Sequence, residues 1–571
     1  MRFSSTRGIS APPFQAVLAG LTLGLLVAAA ACGGGGSEGR GEFRAEWLDK
    51  VEDLSESLAN DLLAFSVAAR ERDTEALASY LADEVAGPAL PLTPGALEPV
   101  AKWVERHDWS ASGETTGGGY SRDGFLAALV GLLGHFGELE DVRFKVKGAD
   151  FDPDHPDRAE ARIKFFVVGR DDAARREWLR GKATIEVSRP DEDGPWRIGR
   201  FEVTSLHSQV ASTDLFSEVA LPAGVSAVFP PFGVGANTGF VSHGAAVGDV
   251  DGDGLLDLAA TGVDRNYLYL NLGDGRFRDA STESLVGYAP PGSGAVFLDY
   301  DNDGDPDLFL AKVGRQVLLQ NRFIPDGEPR FTDVSEAAGV ARKAVGFSAA
   351  AADVNGDGLT DLYVSSYNHY GTVMPNNWHR ATNGTPNLLF VNQGDGTFRE
   401  QGRDRGVDDS GWTYVSAFVD LDEDGDQDLY VANDFGENAF YRNDGDRFTD
   451  TAPEAGIVDA GFGMGVSFGD YDNDGDLDLH VTNMSSTAGN RILKRLYPEA
   501  ELEGSTLAKL AVGNSLYENL GDGTFAEITE KVGGFPGGWA FGGGFIDFDN
   551  DGWEDLYAPN GFISGKSMND T

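Results

Sequence analysis

The chain has 571 residues, of which 92 are acidic and 45 basic, for a formal net charge of −47. That balance excludes nucleic acid as a natural partner, because phosphate binding needs clustered cations. A hydrophobic share of 41% excludes wholesale disorder, and 76 glycines point away from a helical protein towards a turn-rich β architecture.

The N-terminus reads as an export signal. Arg2 and Arg7 make a positive start, and residues 17–31 form an apolar run too short to span a bilayer comfortably. Ala29-Ala30-Ala31-Cys32 resembles a bacterial lipobox, which implies cleavage after residue 31 and lipidation of Cys32. Cys32 is the single cysteine, so no intrachain disulfide can form. Glycine-rich residues 32–42 then serve as a flexible tether. The expected location is the cell envelope, anchored by lipid at the outer membrane or cell surface; a plain secretory signal would instead release the protein.

Residues 43–210 are expected to form an α+β domain. Leu48, Val51, Leu54, Leu58 and Leu62 recur at helical spacing, and a second helix starts near Asp73 or Thr74, which can cap it. Pro88 to Pro99 reads as a connection, and Phe125, Leu126, Leu129, Leu132 and Phe136 mark a third helix. Strand-like runs follow at 142–146, 159–168, 182–187 and 196–204, with a turn at Asp191 to Gly194. Helices followed by an antiparallel sheet resemble the cone-shaped NTF2-like fold, which could hold a ligand or act as a spacer.

From residue 211 the chain repeats itself. A loop of the form Asp-x-Asp/Asn-x-Asp-Gly-x-x-Asp begins at Asp249, Asp299, Asp353, Asp420, Asp470 and Asp547. Most copies are followed by a glycine-rich turn, as in Asn271-Leu-Gly-Asp-Gly-Arg-Phe277, Asn392-Gln-Gly-Asp-Gly-Thr-Phe398, Asn443-Asp-Gly-Asp-Arg-Phe448 and Asn519-Leu-Gly-Asp-Gly-Thr-Phe525. Short strands flank each loop, small-residue before it and alternating apolar after it. Roughly fifty residues with several short strands is the size of a propeller blade. Residues 211–571 are therefore expected to form a β-propeller of six or seven blades, with insertions near 367–386 and 484–512.

The loop chemistry points to calcium, a hard cation that takes six to eight oxygen ligands. The expected ligands are Asp249, Asp251, Asp253 and Asp257; Asp299, Asp301, Asp303 and Asp307; Asp353, Asn355, Asp357 and Asp361; Asp420, Asp422, Asp424 and Asp428; Asp470, Asp472, Asp474 and Asp478; and Asp547, Asp549, Asp551 and Asp555. Glycine at position 6 of every copy permits the sharp turn. An EF-hand would need a bidentate Glu at position 12, whereas Ala260, Leu310, Val364, Val431, Val481 and Ala558 stand there in strand-like runs.

These loops with their glycine-rich turns resemble the FG-GAP or VCBS repeat of integrin α-subunit propellers. The runs Asn433-Asp-Phe-Gly436, Gly463-Met-Gly465 and Gly537-Gly-Trp-Ala540 resemble more narrowly the cartilage acidic protein family, whose bacterial members accompany an ASPIC/UnbV domain. No UnbV domain is visible before Asn569-Asp-Thr571. Phe216-Ser-Glu-Val with Ala223-Gly-Val225 resembles the blade-ending run Phe331-Thr-Asp-Val with Ala338-Gly-Val340, and could close the ring. The resemblance implies a calcium-binding module for an extracellular or periplasmic protein or glycan, expected to be a monomer without a catalytic site. The alternative is a calcium-dependent enzyme for polysaccharide or phosphodiester substrates. Gly465-Val-Ser467-Phe-Gly469 matches a nucleophile-elbow pattern but lacks the strand–turn–helix context. His369 and His379 share the third repeat's insertion, and Asn383-Gly-Thr385 is a sequon.

Overall fold

The computed structural model describes residues 45–111, 119–191, 194–226, 244–369, 372–485, 509–510, 512–533, 538 and 540–559. The signal segment, Cys32, the tether, most of the second insertion, part of the 537–540 run and the C-terminal 569–571 run lie outside these residues. The chain divides into two compact units, residues 1–217 and 218–571. Among the described residues, no helix is long and apolar enough to cross a membrane.

The N-terminal unit is α+β, with its three helices and four long strands in the order the sequence suggests and further strands, Leu81–Ala86 and Val104–Ala111 among them, between the second and third helices. Its first helix, Ala45–Glu71, buries Leu54, Leu58, Leu62 and Phe65 from one side. Asp73 caps the Thr74–Ser79 helix by accepting the amides of Glu75 and Ala76. Ser121 caps the Arg122–Leu133 helix in the same way. Four long strands, Glu138–Phe151, Arg158–Arg170, Arg176–Ser188 and Arg197–Ala211, pair antiparallel in sequence order. Their side chains alternate between buried and exposed, so one face meets the helices in a single core. The proline-rich stretch differs from expectation. Pro91–Pro94 and Glu98–Ala101 are short strands on either side of a bend, both paired to Val104–Ala111. Proline is tolerated there because such short flanking strands need few donated amides.

The C-terminal unit is a series of antiparallel sheets, one per repeat. Four-stranded ladders span residues 245–279, 294–333, 413–450 and 463–527. The third sheet (343–400) also gains Val313–Arg315 as a fifth strand, and Gly544–Ile546 pairs with Asp555–Tyr557 in a two-stranded sixth. The first strands of successive sheets adjoin one another. Small residues make that approach possible. A Cβ on Gly294 would lie 2.7 Å from the backbone of Ser348, and one on Gly244 2.7 Å from Gly294. Apolar second and third strands fill the space between sheets, where Phe309, Tyr363, Tyr430 and Phe390 are fully buried.

Sheets are joined by one repeated side chain. Asn321, Asn392 and Asn443 each donate through Nδ2 to a backbone carbonyl in the acidic loop of the preceding sheet: Val250 at 2.9 Å, Tyr300 at 2.8 Å and Val354 at 2.9 Å. Each also donates to a carbonyl of its own loop. Asn392 and Asn443 are the first residues of the glycine-rich turns read from the sequence. Asn321 fills the same place in the second sheet, where the turn pattern is absent.

Candidate metal centres

Each acidic loop is a tight turn built by its own carboxylates. Position 6 has positive φ in every copy, between 81° at Gly358 and 104° at Gly475, which only glycine adopts without strain. Position 4 is also left-handed, with Gly252, Asn302, Gly356, Glu423, Asn473 and Asn550. Glycine and asparagine suit it; Glu423 does not.

The four carboxylates have different tasks. The position 1 carboxylate folds the loop. Asp299, for example, accepts the amides of Asp303 at 3.1 Å and Gly304 at 3.0 Å, and Asp249, Asp353, Asp470 and Asp547 repeat the pair. Position 9 is a buried pin between strands. Asp307 is 0% exposed and accepts Tyr300 N–H at 3.1 Å and Asn321 N–H at 2.8 Å. Asp257, Asp361, Asp428 and Asp478 do the same. Burial drives these pins above the carboxylate range, Asp307 to about 8, Asp428 to about 7, and Asp361 and Asp478 to about 6.

Position 3 is where hydrogen bonding stops. Among the described residues, the Oδ1 atoms of Asp251, Asp301 and Asp472 are buried with no hydrogen-bond partner. In the fourth loop the bare oxygen belongs to Asp420, because the Asp424 amide turns to Asp422 at 3.4 Å instead. A buried carboxylate oxygen with no donor is costly unless a cation faces it. The carboxylates around it oppose ionisation: burial, then the charges of Asp303 and Asp299, raise the pKa of Asp301.

Ligand-capable oxygens gather within 4.8 Å in five loops: Asp249/Asp251/Asp257, Asp299/Asp301/Asp303, Asp420/Asp422/Asp424, Asp470/Asp472/Asp478 and Asp547/Asp549/Asp551. Of the remaining expected ligands, Asp253, Asp307, Asp424's neighbour Asp428, Asp474 and Asp555 stand beside these groups without joining them. The loop at Asp353, Asn355, Asp357 and Asp361 forms no such group among the described residues. There Asn355 donates Nδ2 to Asp357 Oδ2 at 3.0 Å, so this loop pairs side chains within itself. The donor set of the five groups is all hard oxygen on partly exposed turns, and it fits a calcium-sized cation.

Three carboxylates at position 7, Asp305, Asp426 and Asp476, carry no sequence expectation. Among the described residues Asp305, 2% exposed, and Asp426, half-buried, each have a buried Oδ1 with no hydrogen-bond partner. An Asp at position 7 is visible in the sequence, but the loop pattern assigns only a main-chain oxygen there. Ser467 lies on the Gly463–Gly469 strand opposite His480, with Oγ and Nδ1 3.4 Å apart. Burial lowers His480 to about 4. His369 and His379 join no metal-capable group among the described residues. Asn383 accepts the Trp412 indole N–H at 2.9 Å and donates to Met374, so its amide is committed within the fold.

Comparison with known families falls on these same loops. The family model of the FG-GAP-like repeat matches residues 241–310, 420–481 and 508–558, and that of the FG-GAP repeat matches residues 345–377. The chain carries FG-GAP repeats. Comparison with curated proteins gives no match. Among solved structures, an Agrocybe aegerita lectin that recognises non-reducing terminal N-acetylglucosamine is 13% identical, covering 67% of this chain and 82% of its own, with a TM-score of 0.29. The LinA-type3 hexachlorocyclohexane dehydrochlorinase of Novosphingobium barchaimii LL02 is 13% identical over 28% of this chain and 90% of its own, TM-score 0.18. A ketosteroid isomerase-like protein of Erwinia carotovora atroseptica SCRI1043 is 13% identical over 28% and 98%, TM-score 0.19. Likenesses this slight carry no weight for the function of this chain.

Proposed function

We propose that the C-terminal unit is a calcium-loaded β-propeller that binds an extracellular or periplasmic protein or glycan, and that Cys32 anchors it to the cell envelope. The observation that carries the calcium reading is the repeated buried oxygen, on Asp251, Asp301, Asp420 and Asp472, that no donor among the described residues satisfies. Calcium would be held by the carboxylates at positions 1 and 3, joined by position 5 in the second, fourth and sixth loops and by position 9 in the first and fifth. Its chemistry there is charge neutralisation and cross-linking of a turn, which makes each loop a rigid corner. The third loop, with Asn355 in place of a carboxylate, is the weakest site.

FG-GAP repeats are typical of adhesion or protein-binding modules, and a rigid array with variable insertions suits that work. In this chain the Tyr367–Pro386 insertion packs Trp378 on Phe435 and pairs Arg380 with Glu437, which fixes its shape for contact with a partner. Calcium titration by calorimetry should detect several ions per chain, and capture of envelope proteins and glycans by full-length protein should depend on calcium and reverse with EGTA. No bound calcium at millimolar concentration would sink the ion reading; capture indifferent to EGTA would sink its link to adhesion.

A further inference from the structure

The N-terminal unit holds a polar cluster that none of the repeats explains. Along the Arg176–Ser188 strand the inward row reads Glu177, Leu179, Gly181, Ala183, Ile185 and Val187, so a carboxylate breaks an otherwise apolar series. Glu177 is 1% exposed. Its Oε1 meets His107 Nε2 at 3.1 Å and its Oε2 meets His135 Nε2 at 2.7 Å. Ser208 hydrogen-bonds the same carboxylate and accepts the Trp109 indole N–H at 2.9 Å. Among the described residues, no lysine or arginine pairs with Glu177. A carboxylate held only for packing is better matched by arginine, whose charge does not titrate. Here both partners are imidazoles.

The hydrogen bonds fix the protonation pattern. Burial pushes Glu177 up, but bonds from His135, Ser208 and His107 outweigh it and hold the carboxyl below its usual range. An ionised carboxylate only accepts, so both rings present Nε2–H to it, and a neutral ring then keeps its lone pair on Nδ1. Among the described residues, Nδ1 of neither ring has a hydrogen-bond partner. The His107 side chain is 6% exposed and that of His135 25%, so solvent reaches the cluster at His135. That ring stands edge-on to Trp109 at 4.8 Å and to Phe136 at 5.0 Å, both buried, which fixes its orientation. The other charges acting on His135 are Asp171, tied up by Arg175, and Asp172.

We propose that His135 Nδ1 is a general base, positioned by Glu177, that accepts a proton from small carbon acids. The C–H bond breaks towards Nδ1, its electron pair moves into the substrate to expel a leaving group, and Glu177 offsets the imidazolium charge. The proton then passes to water.

The probe is 5-nitrobenzisoxazole with full-length protein. Its C–H proton goes to His135, the electron pair completes a nitrile, and the N–O bond breaks to give a phenolate. The expected second-order rate constant exceeds that of free imidazole by about tenfold or more, and His135→Asn removes that excess. Glu177→Gln should lower the pH midpoint of the rate by about half a unit or more, since it removes the anion that favours imidazolium. A merely structural Glu177 would leave that midpoint in place. Circular dichroism checks the fold of each variant. Should one fail to fold, the 15N ring resonances of the unaltered protein decide, with Nδ1 unprotonated and Nε2 protonated on His135. The reverse tautomer, a rate no greater than imidazole's, or a rate indifferent to His135→Asn would overturn the proposal.

Discussion

Glu177 in the N-terminal unit and Asp301 in the C-terminal unit both place carboxylate oxygens out of reach of water, and the fold treats them differently. Glu177 is met by His107, His135 and Ser208, so each of its oxygens has a donor. Asp301 receives Gln320 on Oδ2 at 2.7 Å, while Oδ1 has no donor among the described residues. The contrast extends to the cores. Among the described residues one continuous cluster joins the helices and sheet of the N-terminal unit, whereas the C-terminal unit divides its apolar contacts among five. The C-terminal unit also sets loops of like charge between its strands, and the proposed calcium sites fall in those loops.

Chelation is the strongest test of that contrast. In scanning calorimetry EGTA should lower the transition of the C-terminal unit by about 10 °C or more and leave that of the N-terminal unit where it is. Equal shifts in both would erase the distinction. Within the loops, Asp307→Ala should cost about 2–4 kcal/mol with or without calcium, because the Tyr300 and Asn321 amides lose a buried acceptor. Asp301→Asn should instead weaken calcium binding while leaving the metal-free protein as stable as before, or slightly more so. If the two variants behave alike, the division of labour between positions 9 and 3 is wrong.

The N-terminal unit should answer to pH rather than to calcium. His135 is raised by its bond to Glu177, so its contribution is fully present below the usual histidine value of 6.5 and fades as pH rises through the raised value. Glu177 is lowered, so its contribution is present above the usual 4.5 and fades as pH falls through the lowered value. Their joint contribution is greatest between about pH 4.5 and 6.5, and denaturant midpoints across that range should lose this maximum in Glu177→Gln. The smallest effect belongs to Glu423, whose φ of 58° suits glycine. Glu423→Gly should stabilise the fourth loop by about 0.5–1 kcal/mol in urea unfolding, where a loss would mean that the carboxylate serves the site.

Much of this was legible from residue spacing. Position 6 glycines, alternating strands and the cap at Asp73 follow local rules, and local rules show in sequence. The loop pattern named six ligand sets, of which five gather oxygens within 4.8 Å, yet it gave all four positions one task. That position 9 pins strands and position 3 is left bare depends on amides 7 and 14 residues away, as for Asp307 with Tyr300 and Asn321. The Pro91–Pro94 and Glu98–Ala101 strands were hidden because their pairing partner lies further along the chain. The Glu177 cluster was invisible for the same reason: its members are 70 and 42 residues apart and meet only through sheet curvature and a helix end.

The asparagine that reaches back to the preceding loop has a consequence for how such a chain can change length. Each of Asn321, Asn392 and Asn443 supplies the donor for the sheet before it, so the first three sheets each offer a loop carbonyl to the one after; among the described residues Asn519 Nδ2 bonds Leu477 of its own loop instead. Within the first four sheets a duplicated or deleted unit therefore brings its own plug and socket. Gene duplication can add a sheet there without redesigning either neighbour, and recombination yields compatible joints where the crossover falls between those repeats.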